Sequence, residues 1–574
     1  MPYAATAQSV PVSGGLPASD PSGVTAPSGT TSLDLSSTAA TVAAPTSSAP
    51  VNIMVGGFNN GTAVIGGSSM TIAPGQMLTP AQSLVVAQVL TNGTQSLILN
   101  EGGAATGGYA SVWASAASNF ASLVVPQSVA LGSIGYNSSN PLSVSGNVSV
   151  FGSLYALQLT PGVSSVLNLG NLTIGSGGLL SANLPMGNIF GNVFASSGLT
   201  LNVANQIVNM GTISSPGTLN ISAGSNIVNQ SIGSMTASIS AQTLNITSAT
   251  GSIINSGLMS AADSLNLQGL INQNLAVNNT NGIVQALNVI NVGDVLSSAK
   301  ITTELIGGDW LSRQLNVYGG DGRIDLNTGA ISGVLNMTGG EAFAQVASPN
   351  LTLGNIAMSG DPVVVNTLGD ITIGGAITVT GGAPFSAIAF GNILTDGTAA
   401  SINTSSATGG NVLLAAGVNI TDGGTVWNLT GPANPNGGYV DLAGISTINT
   451  KGTAGAGGSV TVVAYDGGGF NSGRILAGGT AIQTGGTGAA SGNVTMIAAD
   501  KNASNATSLL VGNINTAGGT SGTGTISLNA ADLSQSGTIT VNKITGATGG
   551  GTFSAGSLLA RNISTGSLTT NGAS

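Results

Sequence analysis

Between Thr218 and Ala223 the chain reads Thr-Leu-Asn-Ile-Ser-Ala, apolar at every second position. A period of two puts Leu219 and Ile221 on one face of a strand, with Asn220 and Ser222 on the other. The same phrase, Leu-Asn followed by an apolar residue, begins at Leu167, Leu201, Leu219, Leu244, Leu265, Leu287, Leu315 and Leu335. A second phrase follows the first, as Ile207-Val208-Asn209, Ile227-Val228-Asn229, Ile253-Ile254-Asn255 and Leu270-Ile271-Asn272. This is an internal repeat of about 22 residues with variable loops. After residue 400 the wording changes and the rhythm survives. Short strands open at Gly409, Gly437, Gly457, Ser491 and Gly524, and a second series starts at Ile402, Ile448, Ile482, Ile514 and Ile563.

Strands this short cannot bury a face alone, so copies must stack. The pattern predicts an all-β fold, a parallel β-helix or solenoid in which each coil pairs with the coils above and below. Gly, Asn and Ser supply the corners, and Asn at matching positions can join into hydrogen-bonded ladders. About 18 coils at ~4.8 Å each would make a rod on the order of 90 Å long. An array of Ig-like sandwiches is the alternative, since it too has many short strands.

Four parts are expected. Residues 1–50, rich in Ala, Ser, Thr and Pro, form an extended arm. Residues 51–160 form a strand-rich N-terminal unit or cap, with a short helix at Pro80–Leu90. Residues 161–400 carry Leu-Asn-Ile coils, and 401–574 carry Gly-Gly coils running to Ser574 with no closing element in view. An uncovered coil end would have to meet more chain or another subunit. Ala5-Thr6-Ala7 before Gln8 has the form of a cleavage-site remnant.

Composition narrows the function. Charged residues are 5%, against about 25% in ordinary domains. The formal net charge is −10, and no Lys or Arg precedes Lys300. A phosphate-binding surface needs clustered cations, so no nucleic-acid partner is expected. No apolar run is long enough for a transmembrane helix. There is no His and no Cys, which removes imidazole bases, thiol nucleophiles and the usual zinc ligands. Paired carboxylates are the chemistry left, and the Asp residues are scattered near turns. No enzyme is expected. The sequons at Asn171, Asn220, Asn245 and Asn493 follow from strand alternation without any glycosylation.

One segment, Glu304–Asn327, is denser in chemistry. It holds Glu304, Asp309, Asp321 and Asp325 with Trp310, Arg313, Tyr318 and Arg323. Three readings stand. It is a protruding loop held by local ion pairs. It is a subunit contact through Trp310, Arg313, Tyr318 and Arg323, residue types that interfaces favour. Or Asp321 and Asp325 bind Ca²⁺, since Gly319-Gly320-Asp321-Gly322 opens like a calcium nonapeptide, although Arg323 stands where an Asp is needed.

Phrases such as "ALNVINVGD", "GTISSPGTLNISAGSNIVNQ" and "GGNVLLAAGVNI" resemble the repeats of filamentous-haemagglutinin-type and other bacterial β-strand-repeat surface exoproteins. The likeness covers roughly 160–574. Asn434-Pro435-Asn436-Gly437 is similar to a motif of that family's secretion domain, with Gly438 in place of Ile and far from the N-terminus. The resemblance implies a secreted bacterial β-helix, extracellular or on the cell surface. The expected function is a structural subunit of a filament, sheath or surface layer, assembling head-to-tail with copies of itself. The alternative is an adhesin stalk presenting a loop to a cell-surface glycan.

Overall fold

In the computed structural model, side chains are described for residues 123–529, apart from 186–192, 420–429, 501–507, 517–521 and a few isolated positions. Outside that range only strand placements are given. The expected helix at Pro80–Leu90, the Ala5–Ala7 site and most of the 1–50 arm lie outside the described residues. The described residues are all β, with no helix. The chain divides into two compact units, Ser9–Ile290 and, in the main, Asn291–Ser574.

Three columns of parallel strands run through the first unit. In one, Leu199, Leu219, Leu244 and Leu265 lie opposite one another on successive coils. In the next, Ile207, Ile227, Ile253 and Val277 are aligned. The third aligns Leu180, Ile213, Ile239 and Met259. Each of these side chains is fully buried. Parallel neighbours need a return path, and here the other two columns supply it. The result is a parallel β-helix, as the alternating phrases predict.

The register corrects three details of the repeat. Leu201 lies opposite Ile221, two positions from the phrase-to-phrase match. Leu287 is exposed, while Ile290 and Val292 are buried. Leu270 and Ile271 are 49% and 65% exposed, and Asn272 has φ +64°. They form a corner, where Asn tolerates the left-handed conformation. The fourth copy of the second phrase is instead Val277-Asn278-Asn279. A three-residue phrase looks alike in a corner and in a strand.

The second unit is organised in the same way. One column runs Leu305, Leu326, Ala344, Val364, Ala387, Leu414, Val462, Met496 and Leu528, in register throughout. The late Gly-led strands do not all share this column. Val440 sits between Ile393 and Ile475 in another, and Ile563 pairs with Leu509, apart from the Ile402–Ile448–Ile482–Ile514 series. Between Ala416 and Val460 an antiparallel hairpin, Asn419–Asp422 with Trp427–Thr430, is inserted.

The coils stand so close that some corners exclude a side chain. A Cβ on Gly492 would lie 1.9 Å from the Gly458 carbonyl oxygen. Four threonines buried at such corners are paired. Thr404, Thr450, Thr484 and Thr516 are fully buried, and each donates its hydroxyl to a glycine carbonyl six or eight residues on. In the first unit Asn209, Asn229, Asn255 and Asn279 point inward and form a continuous amide ladder. An outward ladder joins Asn220, Asn245 and Asn266.

Candidate functional site

The dense segment is not a protruding loop. It forms the strands Thr302–Ile306, Asp309–Tyr318 and Arg323–Thr328, in one coil and the start of the next. Trp310 has no exposed surface, and its indole N–H donates to the Gly307 carbonyl at 3.2 Å. It is a core residue and has no surface to offer a second subunit, which corrects its place among the interface candidates. The alternation that buries Leu315 and Val317 also buries Trp310, because it lies on the same face across the bulge at Leu311–Gln314. Arg313 lies at that bulge and is exposed.

Arg323 is the centre of the local charge. Its Nε donates to Asp325 Oδ1 at 2.6 Å, and its Nη1 to Glu341 Oε1 at 3.3 Å. Burial alone would lower the guanidinium pKa, but the hydrogen bond and charge of Asp325, with Glu341, raise it. Glu304 lies directly opposite Asp325 on the preceding coil. Burial first, and the Asp325 charge second, push its carboxyl above the usual range. Asp361 is raised in the same direction by local desolvation and then Glu341, although the residue as a whole is exposed.

This arrangement bears on the calcium reading. One Asp325 oxygen is engaged by Arg323, and Asp321 is exposed. Among the described residues no three His, Cys, Asp or Glu side chains gather to hold a metal ion. A guanidinium beside the carboxylates opposes a dication directly.

Tyr318 is half-buried at the end of its strand, and burial raises its hydroxyl pKa. Its backbone carbonyl accepts the Thr303 hydroxyl at 2.6 Å. On the outer face Tyr318, Thr338, Ala357 and Thr378 lie opposite one another on four successive coils. With Asp294, Val295, Asp321 and Met358 they line a groove of about 350 Å³. Asp294 follows Gly293, whose φ is +90°, and its Oδ1 accepts the Leu296 N–H at 2.9 Å. Its Oδ2 is shielded from solvent and has no hydrogen-bond partner among the described residues. Sequence reading missed Asp294, because nothing in "NVGDVL" separates it from any other corner Asp.

The first unit has a groove of its own, about 530 Å³, along the row Ser143, Asn168, Asn202 and Ser222. Asn202 donates to Asn168 there at 2.9 Å. No helix among the described residues is long and apolar enough to cross a membrane. No protein family, curated protein or solved structure matches this chain.

Proposed function

We propose that this protein is a non-catalytic structural subunit of an extracellular filament, sheath or surface layer, built from copies of itself. The observation that carries the reading is the in-register stacking of like on like. Asn209, Asn229 and Asn255 each donate to the Asn one coil on, ending at Asn279, and Leu199, Leu219, Leu244 and Leu265 stack without a shift. In such a fold a coil is the natural partner of a coil resembling it. Low charge supports the same reading, since 5% charged residues put little repulsion between copies. Secretion agrees with the absence of Cys and with the likeness to bacterial surface repeats.

Contacts between unlike faces build open polymers wherever successive copies do not close into a ring. Sedimentation velocity over a wide concentration range tests this. Species growing far beyond a dimer as concentration rises support the proposal. A monomer at every concentration and salt overturns it.

A further inference from the structure

Four acidic side chains are stacked along one column of the second unit, on its outer face. The strands Thr302–Ile306, Arg323–Thr328, Glu341–Val346 and Pro362–Asn366 follow one another there on successive coils. Glu304 is directly opposite Asp325. Ala342 is opposite Pro362, which sets Glu341 against Asp361 one position earlier. Strands in register are ~4.8 Å apart, and like charges placed directly opposite destabilise a sheet. Coil stacking does not require such pairs, since the row that holds Glu304 and Asp325 goes on to Ser386 and Thr461.

The one cation on these strands is placed unequally. Arg323 bonds Asp325 at 2.6 Å and Glu341 at 3.3 Å, the inner member of each pair. The outer members, Glu304 and Asp361, have no ion pair or hydrogen bond on their carboxylates among the described residues. The other charges of this stretch, Asp294, Lys300, Asp309, Arg313, Asp321 and Asp370, stand at corners or on the other columns. The next strand of the column, Phe385–Ala389, carries no charge.

Both outer carboxyls hold their protons above the ordinary range. Burial and then the Asp325 charge raise Glu304, and burial and then the Glu341 charge raise Asp361. The folded chain therefore keeps these protons where the unfolded chain, with ordinary values near pH 4, has released them. Stability rises as pH falls through the folded values and levels off below about pH 4. Arg323 engages Oδ1 of Asp325 and Oε1 of Glu341, so the second oxygen of each remains to accept from a protonated neighbour.

We propose that this ladder is an acid-strengthened clasp, in which protonation of Glu304 and Asp361 removes two repulsive contacts between coils while Arg323 goes on holding the inner pair. The clasp acts within one chain, so it does not depend on the structural role above.

Thermal unfolding of the full chain tests it, followed by tryptophan fluorescence, to which the buried Trp310 between Glu304 and Arg323 contributes. Glu304→Gln combined with Asp361→Asn copies the protonated state. This double variant should melt roughly 1–2 °C above wild type at pH 7 and level with it at pH 3. Arg323→Gln removes the cation of the ladder, so in its background the difference at pH 7 should widen. If Arg323→Gln fails to fold, the double variant alone still decides. Three results each overturn the proposal: the double variant melts level with wild type at pH 7, the difference persists unchanged at pH 3, or Arg323→Gln abolishes it.

Discussion

Asn229 donates its side-chain amide to Asn255 Oδ1 at 2.7 Å, and the two residues are 0% and 1% exposed. Asn229 also accepts from Asn209 at 2.7 Å and donates to the Leu258 carbonyl. Truncating it takes one hydrogen bond from the buried amide on each neighbouring coil and removes the side-chain donor to the Leu258 carbonyl. Asn229→Ala should therefore destabilise the fold by about 2–4 kcal/mol. Asn245, in the outward ladder, is only half-buried and can exchange its partners for water. Asn245→Ala should cost less than about 1 kcal/mol. Urea denaturation of the two variants checks the contrast, and equal losses would contradict it.

The register makes a second prediction. Val277 is fully buried opposite Ile253, whereas Ile271 stands 65% exposed in a corner. Val277→Ser should destabilise by about 2–3 kcal/mol, from lost burial and a buried hydroxyl. Ile271→Ser should lie within about 0.5 kcal/mol of wild type. The reverse order would show that Leu270-Ile271-Asn272 occupies the strand after all.

The threonine clasps give a third. Thr450 Oγ1 donates to the Gly458 carbonyl at 2.5 Å with no exposure of either side-chain atom or residue surface on Thr450. Thr450→Val keeps the shape and loses the donor, at a cost of about 1–2 kcal/mol. Gly492→Ala should be worse, because its Cβ would sit 1.9 Å from a backbone oxygen that cannot move aside. Gly397 has φ +82° but open space around its Cβ position. Gly397→Ala should cost only backbone strain, about 1 kcal/mol. Melting temperatures should fall in the order Gly397→Ala, Thr450→Val, Gly492→Ala.

A fourth concerns alkaline pH. The Tyr465 hydroxyl is buried without a partner among the described residues, within the cluster of Val363, Val365, Ile388, Ala415, Val418 and Val463, and burial pushes its pKa up to about 12. The unfolded chain releases that proton near pH 10, its ordinary value. The folded state holds the proton longer, so stability is full below pH 10 and declines as pH rises toward 12. Tyr465→Phe removes both the unpaired hydroxyl and this linkage. It should equal or exceed wild type in stability at pH 7 and lose less between pH 10 and 12. Parallel pH titrations of thermal unfolding would show the difference.

The coil architecture was legible because alternation is a local property. Leu219, Asn220 and Ile221 declare their faces without help from the rest of the chain. Register was less legible, because pairing depends on loop length. Leu201 opposite Ile221 and the corner at Leu270–Asn272 show phrase similarity misaligning coils. The inward amides were missed for a related reason. Asn220 stands between two apolar residues and Asn229 follows a pair of them, yet only a stack of paired neighbours makes burial of Asn229 tolerable. Trp310 was read by residue type as a surface anchor, when the bulge after it puts it on the core face. The groove at Asp294 needs four coils brought together and could not be seen in any one of them.

Negative-stain electron microscopy of the purified full chain tests the central claim most directly. The account predicts thin, unbranched filaments of uniform width, many chain lengths long, that increase with concentration. Fields of single short particles that stay single at every concentration would contradict it.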